Sequence, residues 1–214
     1  MRCEPNMSDF TPQEIAAVYR VMAMRRDMRH FLPDPLDEAL VARLLGAAHM
    51  APSVGLMQPW RFIRIRDPGL RAGVHALVEE ERIKTAQALA EREDEFMRLK
   101  VEGILECGEL LVAALAPDRE RHVFGRRTMP DMDLASVACA IQNLWLAARA
   151  EGIGMGWVSI LDPARVKAIL DVPEAWRFIG YFCLGFPEQE HVQPELERAG
   201  WERRRPAASV VLRR

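Results

Sequence analysis

The chain has 214 residues, half of them hydrophobic, and a formal charge of −2. That is enough apolar material for one sizeable core, and 29 basic against 31 acidic residues exclude general nucleic-acid binding. No apolar run reaches the roughly 18 residues that span a bilayer, and Cys3, Cys107, Cys139 and Cys183 form no CxxC pair, which predicts reduced core thiols in a cytoplasmic protein and no metal site.

Residues 1–9 read as a frayed leader that lacks the apolar core of a signal peptide. Thr11-Pro12-Gln13-Glu14 starts a helix, with Thr as N-cap, Pro at the first helical position and Glu three residues after the cap. Ile15, Val18, Tyr19, Val21 and Met22 give that helix an apolar face. It runs into Met24-Arg25-Arg26-Asp27-Met28-Arg29-His30-Phe31, where Arg25, Arg26 and Arg29 surround one acid, Asp27. A guanidinium is planar, permanently charged and shaped to hold phosphate with paired hydrogen bonds. The competing reading is a solvated charged helix end, with Asp27 salt-bridged to a neighbouring arginine. Two prolines keep Phe31–Pro35 extended. A second helix covers about 37–50, capped by Asp37, with Leu40, Val41, Leu44, Leu45 and Ala48 as its buried stripe. The loop that follows carries Ser53, Gly55, Met57 and Gln58, groups suited to meeting a ligand beside a rigid scaffold. Arg61–Arg66 alternates as a half-buried strand.

Residues 70–106 form a long, highly charged helical region, read as an excursion or lid in which Leu99 and Val101 face the ligand and Glu91–Glu95 face water. Residues 109–116 make a buried strand, 117–131 an arginine-rich loop, and 132–151 the most apolar helix, expected at the centre. The strand 153–160 is loosened by Gly154 and Gly156, which admit another backbone or a flat ligand, and ends near Ser159. Asp162-Pro163 opens a short helix and 176–185 is a buried strand. From Pro187 the chain is rich in proline and charge and is expected to run extended over a partner subunit. There Arg203, Arg204 and Arg205 would close the phosphate site from its other side.

No GxGxxG follows a strand, no GxSxG elbow occurs, and the histidines lack HExxH spacing. What remains is a phosphate held by arginines and a flat ring against Gly156, Ser159 and the 53–58 loop.

The Met24–Phe31 stretch resembles the RRSxRxF motif of the FMN-dependent nitroreductase superfamily, and Ser53–Trp60 resembles its SxxNxQPW loop. Leu56 stands where that loop usually has Asn, which removes an amide that commonly contacts flavin. Within the superfamily the chain is similar to the BluB branch, the 5,6-dimethylbenzimidazole synthases. The similarity runs from about residue 15 to 204 and rests on Asp27 in place of Ser, on PSVGLMQPWRF, and on segments 97–104 and 154–159. It implies an α+β nitroreductase-like fold: one domain over 11–206, a central mixed sheet flanked by helices, an extended C-terminal arm and an intertwined homodimer, with 1–10 and 207–214 as tails. It implies FMN at the subunit interface, held by Arg25, Arg26, Asp27, Met28 and Arg29, by Ser53, Gly55 and Met57, by Leu99 and Val101, and by Gly156, Ser159, Arg203 and Arg205. It further implies O2-dependent fragmentation of reduced FMN to 5,6-dimethylbenzimidazole and erythrose 4-phosphate. Asp27 and Ser159 would serve the chemistry, and a flavin reductase would supply reduced FMN. A carboxylate beside the flavin can act as general base, worth about 10²–10⁴-fold. Two other readings stay open: an NAD(P)H-dependent FMN oxidoreductase or nitroreductase, and a non-catalytic carrier of reduced flavin.

Overall fold

Four strands, β1 (Trp60–Arg64), β2 (Glu109–Leu115), β3 (Gly154–Val158) and β4 (Arg177–Gly185), form one sheet in the order β1-β2-β4-β3. The computed structural model describes residues 10–116, 121 and 123–214, so the expected leader and part of the 117–131 loop lie outside the described residues. Every pairing between these strands is antiparallel. Among the described residues, the expected mixed character is confined to one isolated parallel bridge, Asp27 with Met155. The segment after Asp27 leaves the edge of β3 at once and bridges from Phe31 to Pro187 instead, so a parallel strand never develops.

Among the described residues there are seven α-helices, and four of them cover the sheet. Alternation along β2 sends Leu111, Ala113 and Leu115 to one face and Leu110 and Val112 to the other. The first face packs against α2 (Glu38–His49) and α5 (Met132–Ala150), the second against α3 (Pro68–Ala88) and α6 (Pro163–Ile169). With helices on both faces, all of β2 is buried, which is why it reads as an unbroken apolar run. Among the described residues, no helix is long and apolar enough to cross a membrane.

The helix starts follow their caps. At α1 (Pro12–Met24), Glu14 N–H donates to Thr11 Oγ1 at 3.3 Å and Thr11 N–H donates to Glu14 Oε2 at 2.7 Å, a reciprocal capping box. Asp37, Asp67 and Asp162 cap α2, α3 and α6 through their carboxylates. The apolar face of α1 is not buried by its own chain: Val18 is 54% and Tyr19 69% exposed.

Two expectations need correction. α3 is not an excursion, because Val74, Leu77 and Val78 are buried in the second core; the charges that suggested one occupy only its outer face. The excursion proper is the stretch 89–101, a 3₁₀ turn (Ala90–Arg92) followed by the short α4 (Glu93–Met97). The tail is not extended throughout either. It folds back on its own chain and forms α7 (Glu195–Arg198), and from 202 onward every residue is exposed.

Two glycines open the space into which Met28–Phe31 fits. A methyl group on Gly156 would lie 2.1 Å from Met28 O, and one on Gly103 would lie 2.6 Å from the Phe31 ring and 2.7 Å from Arg29 O. Gly156→Ala is therefore expected to destabilise at or above the ~1–3 kcal/mol typical of overpacking, because the obstruction is backbone. Gly46, in the exposed part of α2, meets nothing within 4 Å, so Gly46→Ala is expected to stabilise by about 0.5–1 kcal/mol. Urea unfolding of the two variants beside the unmodified chain checks both signs.

Candidate functional site

The arginine cluster lies where α1 stops. Arg25 caps its C-terminus and lays its guanidinium over the Trp145 ring, 4.8 Å from the centroid. Trp145 Nε1 in turn donates to Arg26 O at 3.1 Å, which fixes the cluster to α5. Met28 N–H donates to Met155 O at 3.1 Å, and Trp157 N–H donates to Asp27 Oδ1 at 3.0 Å. The other Asp27 oxygen, Oδ2, pairs with Arg29 Nη2.

The expected competitor for Asp27, a salt bridge to an arginine, is thus present, and Arg29 makes it. It does not decide the protonation. Burial pushes the Asp27 carboxyl above the ordinary carboxylate range, and this outweighs the pull of Arg29, of the Trp157 N–H and of Arg25. Arg26 is held by carbonyls rather than by a carboxylate. Its Nη1 donates to the carbonyls of Ala23 and Arg25, both at 2.7 Å, and its Nη2 to that of Val192; its buried Nε has no partner. Burial, then the like charges of Arg204, Arg25 and Arg149, pull its pKa down.

A cavity of about 590 Å³ opens over this cluster. Arg26, Asp27, Met28, Arg29 and His30 form one wall, Arg98, Leu99 and Lys100 another, and the tail from Glu188 to Ala199 a third. A smaller cavity of about 140 Å³ adjoins it through Arg29, Leu99 and Lys100, and there Val101, Trp157, Ser159 and Trp201 converge. The fold therefore brings Asp27, Arg29, Leu99, Val101 and Ser159 together from distant parts of the chain. Ser159 sits just past β3, exposed rather than locked in the strand.

Other expected members stand apart. The 53–57 loop is fixed to the opposite end of α5, where Val54 N–H donates to Ser136 Oγ at 3.1 Å. Ser136 and Trp145 are separated by about 13 Å of helix. Ser53 Oγ accepts from Gln58 N–H at 3.0 Å inside the loop. Gly55, Leu56 and Gln58 have left-handed backbones with φ of 55°, 51° and 44°, and Leu56 is 80% exposed. Left-handed non-glycine residues cost about 1–3 kcal/mol each and cluster at functional sites. The expected seat of a ring over Gly156 is taken by the chain's own Met28 carbonyl. Arg203 and Arg205 are exposed and line neither cavity; the nearest charge of that triplet to Arg26 is Arg204.

Two groups were not singled out from sequence. His30 and Glu195 meet at 3.3 Å in the larger cavity, and only tertiary structure joins residues so far apart. His75, Glu79 and Glu102 bring potential ligand atoms within 4.8 Å of one another where no metal spacing was read. Glu102 has an internal use there: it accepts from Ile104 N–H at 2.5 Å and lies 3.7 Å from His75.

Residues 22–186 match the family model described as Nitroreductase family. The chain is 51% identical over 187 residues to a 5,6-dimethylbenzimidazole synthase of Rhodospirillum rubrum, covering 85% of this chain and 87% of that protein. It is 43% identical over 192 residues to a 5,6-dimethylbenzimidazole synthase of Rhodobacter capsulatus, covering 89% and 93%. Among solved structures, a BluB-like flavoprotein from Clostridium difficile 630 shares the fold with a TM-score of 0.69 at 16% identity, over 91% of this chain and 97% of that one.

The Asp27 carboxyl is expected to titrate above 3.8, as followed by carboxyl-carbon NMR against an Asp27→Asn reference. A carboxyl whose pKa is raised by folding binds its proton first in the folded state. Its contribution therefore favours folding below the unfolded pKa and is lost as pH rises through the folded value. The stability of the unmodified chain relative to Asp27→Asn should fall over that window.

Proposed function

The chain belongs to the nitroreductase family and to its 5,6-dimethylbenzimidazole synthase branch, and we propose that it converts reduced FMN and dioxygen to 5,6-dimethylbenzimidazole and erythrose 4-phosphate. The observation that carries this reading is the 51% identity, over 187 residues, to a protein of that name. The site supports it with the residue types the reaction needs.

The residues fit a flavin phosphate. Arg26 has a buried, unpartnered Nε, Arg29 shares its guanidinium between two carboxylates, and the cavity beside them, about 590 Å³, lies within the ~300–1,000 Å³ usual for ligand sites. Arg26 and Arg29 would hold the phosphate. When bound, reduced FMN supplies the electrons for dioxygen chemistry and the carbon framework that is cut. Asp27 is the general base. Its Oδ1 is oriented by the Trp157 N–H and its Oδ2 by Arg29, and its raised pKa makes it a stronger base than an ordinary surface carboxylate. Ser159 offers a hydroxyl at the smaller cavity, where Leu99 and Val101 limit the entry of water. The 89–101 excursion serves as the lid.

The working unit in this reading is a homodimer. The apolar face of α1 left bare by its own chain, with Ile15, Val18, Tyr19 and Met22 each about half exposed or more, is suited to cover by a second copy. A second copy also supplies the 53–58 loop that a single chain holds at the far end of α5. Because reduced FMN is consumed as substrate, a separate flavin reductase delivers it at each turnover. A cytoplasmic setting accords with Cys107 and Cys183 as buried free thiols.

Chemically reduced FMN mixed with the protein and exposed to air should be consumed, with 5,6-dimethylbenzimidazole appearing by mass spectrometry. Asp27→Asn should lower its formation by about 10²-fold or more while FMN binding stays within a few-fold. Return of intact oxidised FMN from the unmodified protein would instead favour an NAD(P)H-dependent reductase or a carrier; turnover of nitro and quinone acceptors then separates those two.

A further inference from the structure

We propose that Glu195 is an internal competitor for the phosphate site: its carboxylate holds Arg29 and His30 until substrate phosphate displaces it, and returns to expel the phosphorylated product. This rests on the reading above, that Arg26 and Arg29 receive the phosphate.

Arg29 has two carboxylate partners of different character. Nη2 makes a close pair with Asp27, whereas Nη1 lies 3.5 Å from Glu195 Oε2. The other Glu195 oxygen is 3.3 Å from His30 Nε2. Charge-assisted hydrogen bonds normally close to about 2.7–2.9 Å, so Glu195 is held loosely and Asp27 is not. An incoming anion can therefore take the Glu195 side of Arg29 and leave the Asp27 side intact. The same tail reaches Arg26, whose Nη2 donates to Val192 O. Residues 192–195 thus occupy the cationic groups on which the substrate depends.

The tail is built to leave. α7 is a single turn with no buried residue, and segments with few buried contacts open at low free-energy cost. Exchange then depends on charge and concentration. A phosphate monoester carries about −1.5 to −2 near neutral pH, against −1 for Glu195, and so wins where it is abundant. A tethered carboxylate acts at an effective concentration in the millimolar range, and so recaptures Arg29 once the carbon–carbon bond that joins the sugar phosphate to the rest of the flavin is cut. Substrate and sugar product carry the same phosphate. The flavin ring and its contacts, however, hold only the substrate in place, which gives the exchange its direction.

The test is FMN binding to the full chain by flavin fluorescence, with inorganic phosphate as competitor, for the unmodified protein, Glu195→Gln and Arg29→Gln. Glu195→Gln is expected to bind FMN about three- to tenfold tighter, since the pair it loses is charged but partly exposed, and inorganic phosphate should compete correspondingly better. Arg29→Gln should weaken FMN binding. Amide exchange over 192–198 should speed up when FMN saturates the unmodified protein. If Glu195→Gln binds FMN equally or less tightly while Arg29→Gln weakens it, the internal competitor is refuted and the phosphate site stands. Slower exchange over 192–198 with FMN bound refutes it too, because the tail would then close over the ligand. If Arg29→Gln leaves FMN affinity unchanged, the phosphate site itself is wrong, and the competitor falls with it.

Discussion

The site depends on one piece of backbone docking. Asp27 and Met28 lie against the open edge of β3, with Met28 N–H on Met155 O, and they fit only because Gly156 presents no side chain there. That contact sets where Asp27 points. With its backbone bridged to Met155, its carboxylate reaches the next free donor on the strand edge, Trp157 N–H. A half-buried acid is thereby positioned by the sheet rather than by a loop. Few arrangements hold a carboxylate as firmly, because a strand edge moves only with the sheet.

The three arginines of one short motif do three different things. Arg25 stacks on Trp145, Arg26 turns its donors to carbonyls, and Arg29 divides its guanidinium between carboxylates. Stacking and carbonyl contacts position a cation without cancelling its charge, so Arg25 and Arg26 both stay positive, and Arg26 brings that charge to the cavity wall. Arg29 is nearly neutralised by Asp27 and Glu195. Yet an acid beside that much positive charge would ordinarily titrate low. Asp27 goes the other way because desolvation exceeds the sum of its favourable partners. A cluster of cations and a carboxyl of raised pKa thus coexist within a few residues, because Asp27 is only partly open to the cavity that Arg26 and Arg29 also line.

Much of the fold was legible in the sequence. The capping signals at Thr11, Asp37 and Asp162, the stripe of α2 and the apolar run of β2 each report a local rule, and local rules are written in adjacent residues. The error over α3 has a physical cause. Its charges are contiguous in sequence, Glu79 to Glu81 above all, while Val74, Leu77 and Val78 are spread through its first turns and become a core only when α6 and β2 arrive. The candidate site was legible where it is local, at Arg25–Arg29, and where a glycine marks close approach, at Gly156. Glu195, His30 and the Trp157 N–H were not. Their roles come from pairs more than a hundred residues apart, and a backbone N–H has no residue type to betray it.

Rigidity and mobility are also divided along the chain. Asp27 is tied to β3 and Arg26 to Trp145 of α5, but the walls facing it belong to lightly built segments. Arg82 holds the excursion by donating to Met97 O at 2.7 Å and Leu99 O at 3.1 Å. Arg92 lies 3.6 Å from the centroid of Trp201, whose ring also faces Phe96. Trp201 N–H is bonded to Leu196 O at 2.9 Å, within α7. The excursion and the tail therefore meet at Trp201, and a shift of α7 reaches the segment that carries Leu99. Two separate closures would have to open in step, whereas one tryptophan held by both makes the opening of either felt by the other.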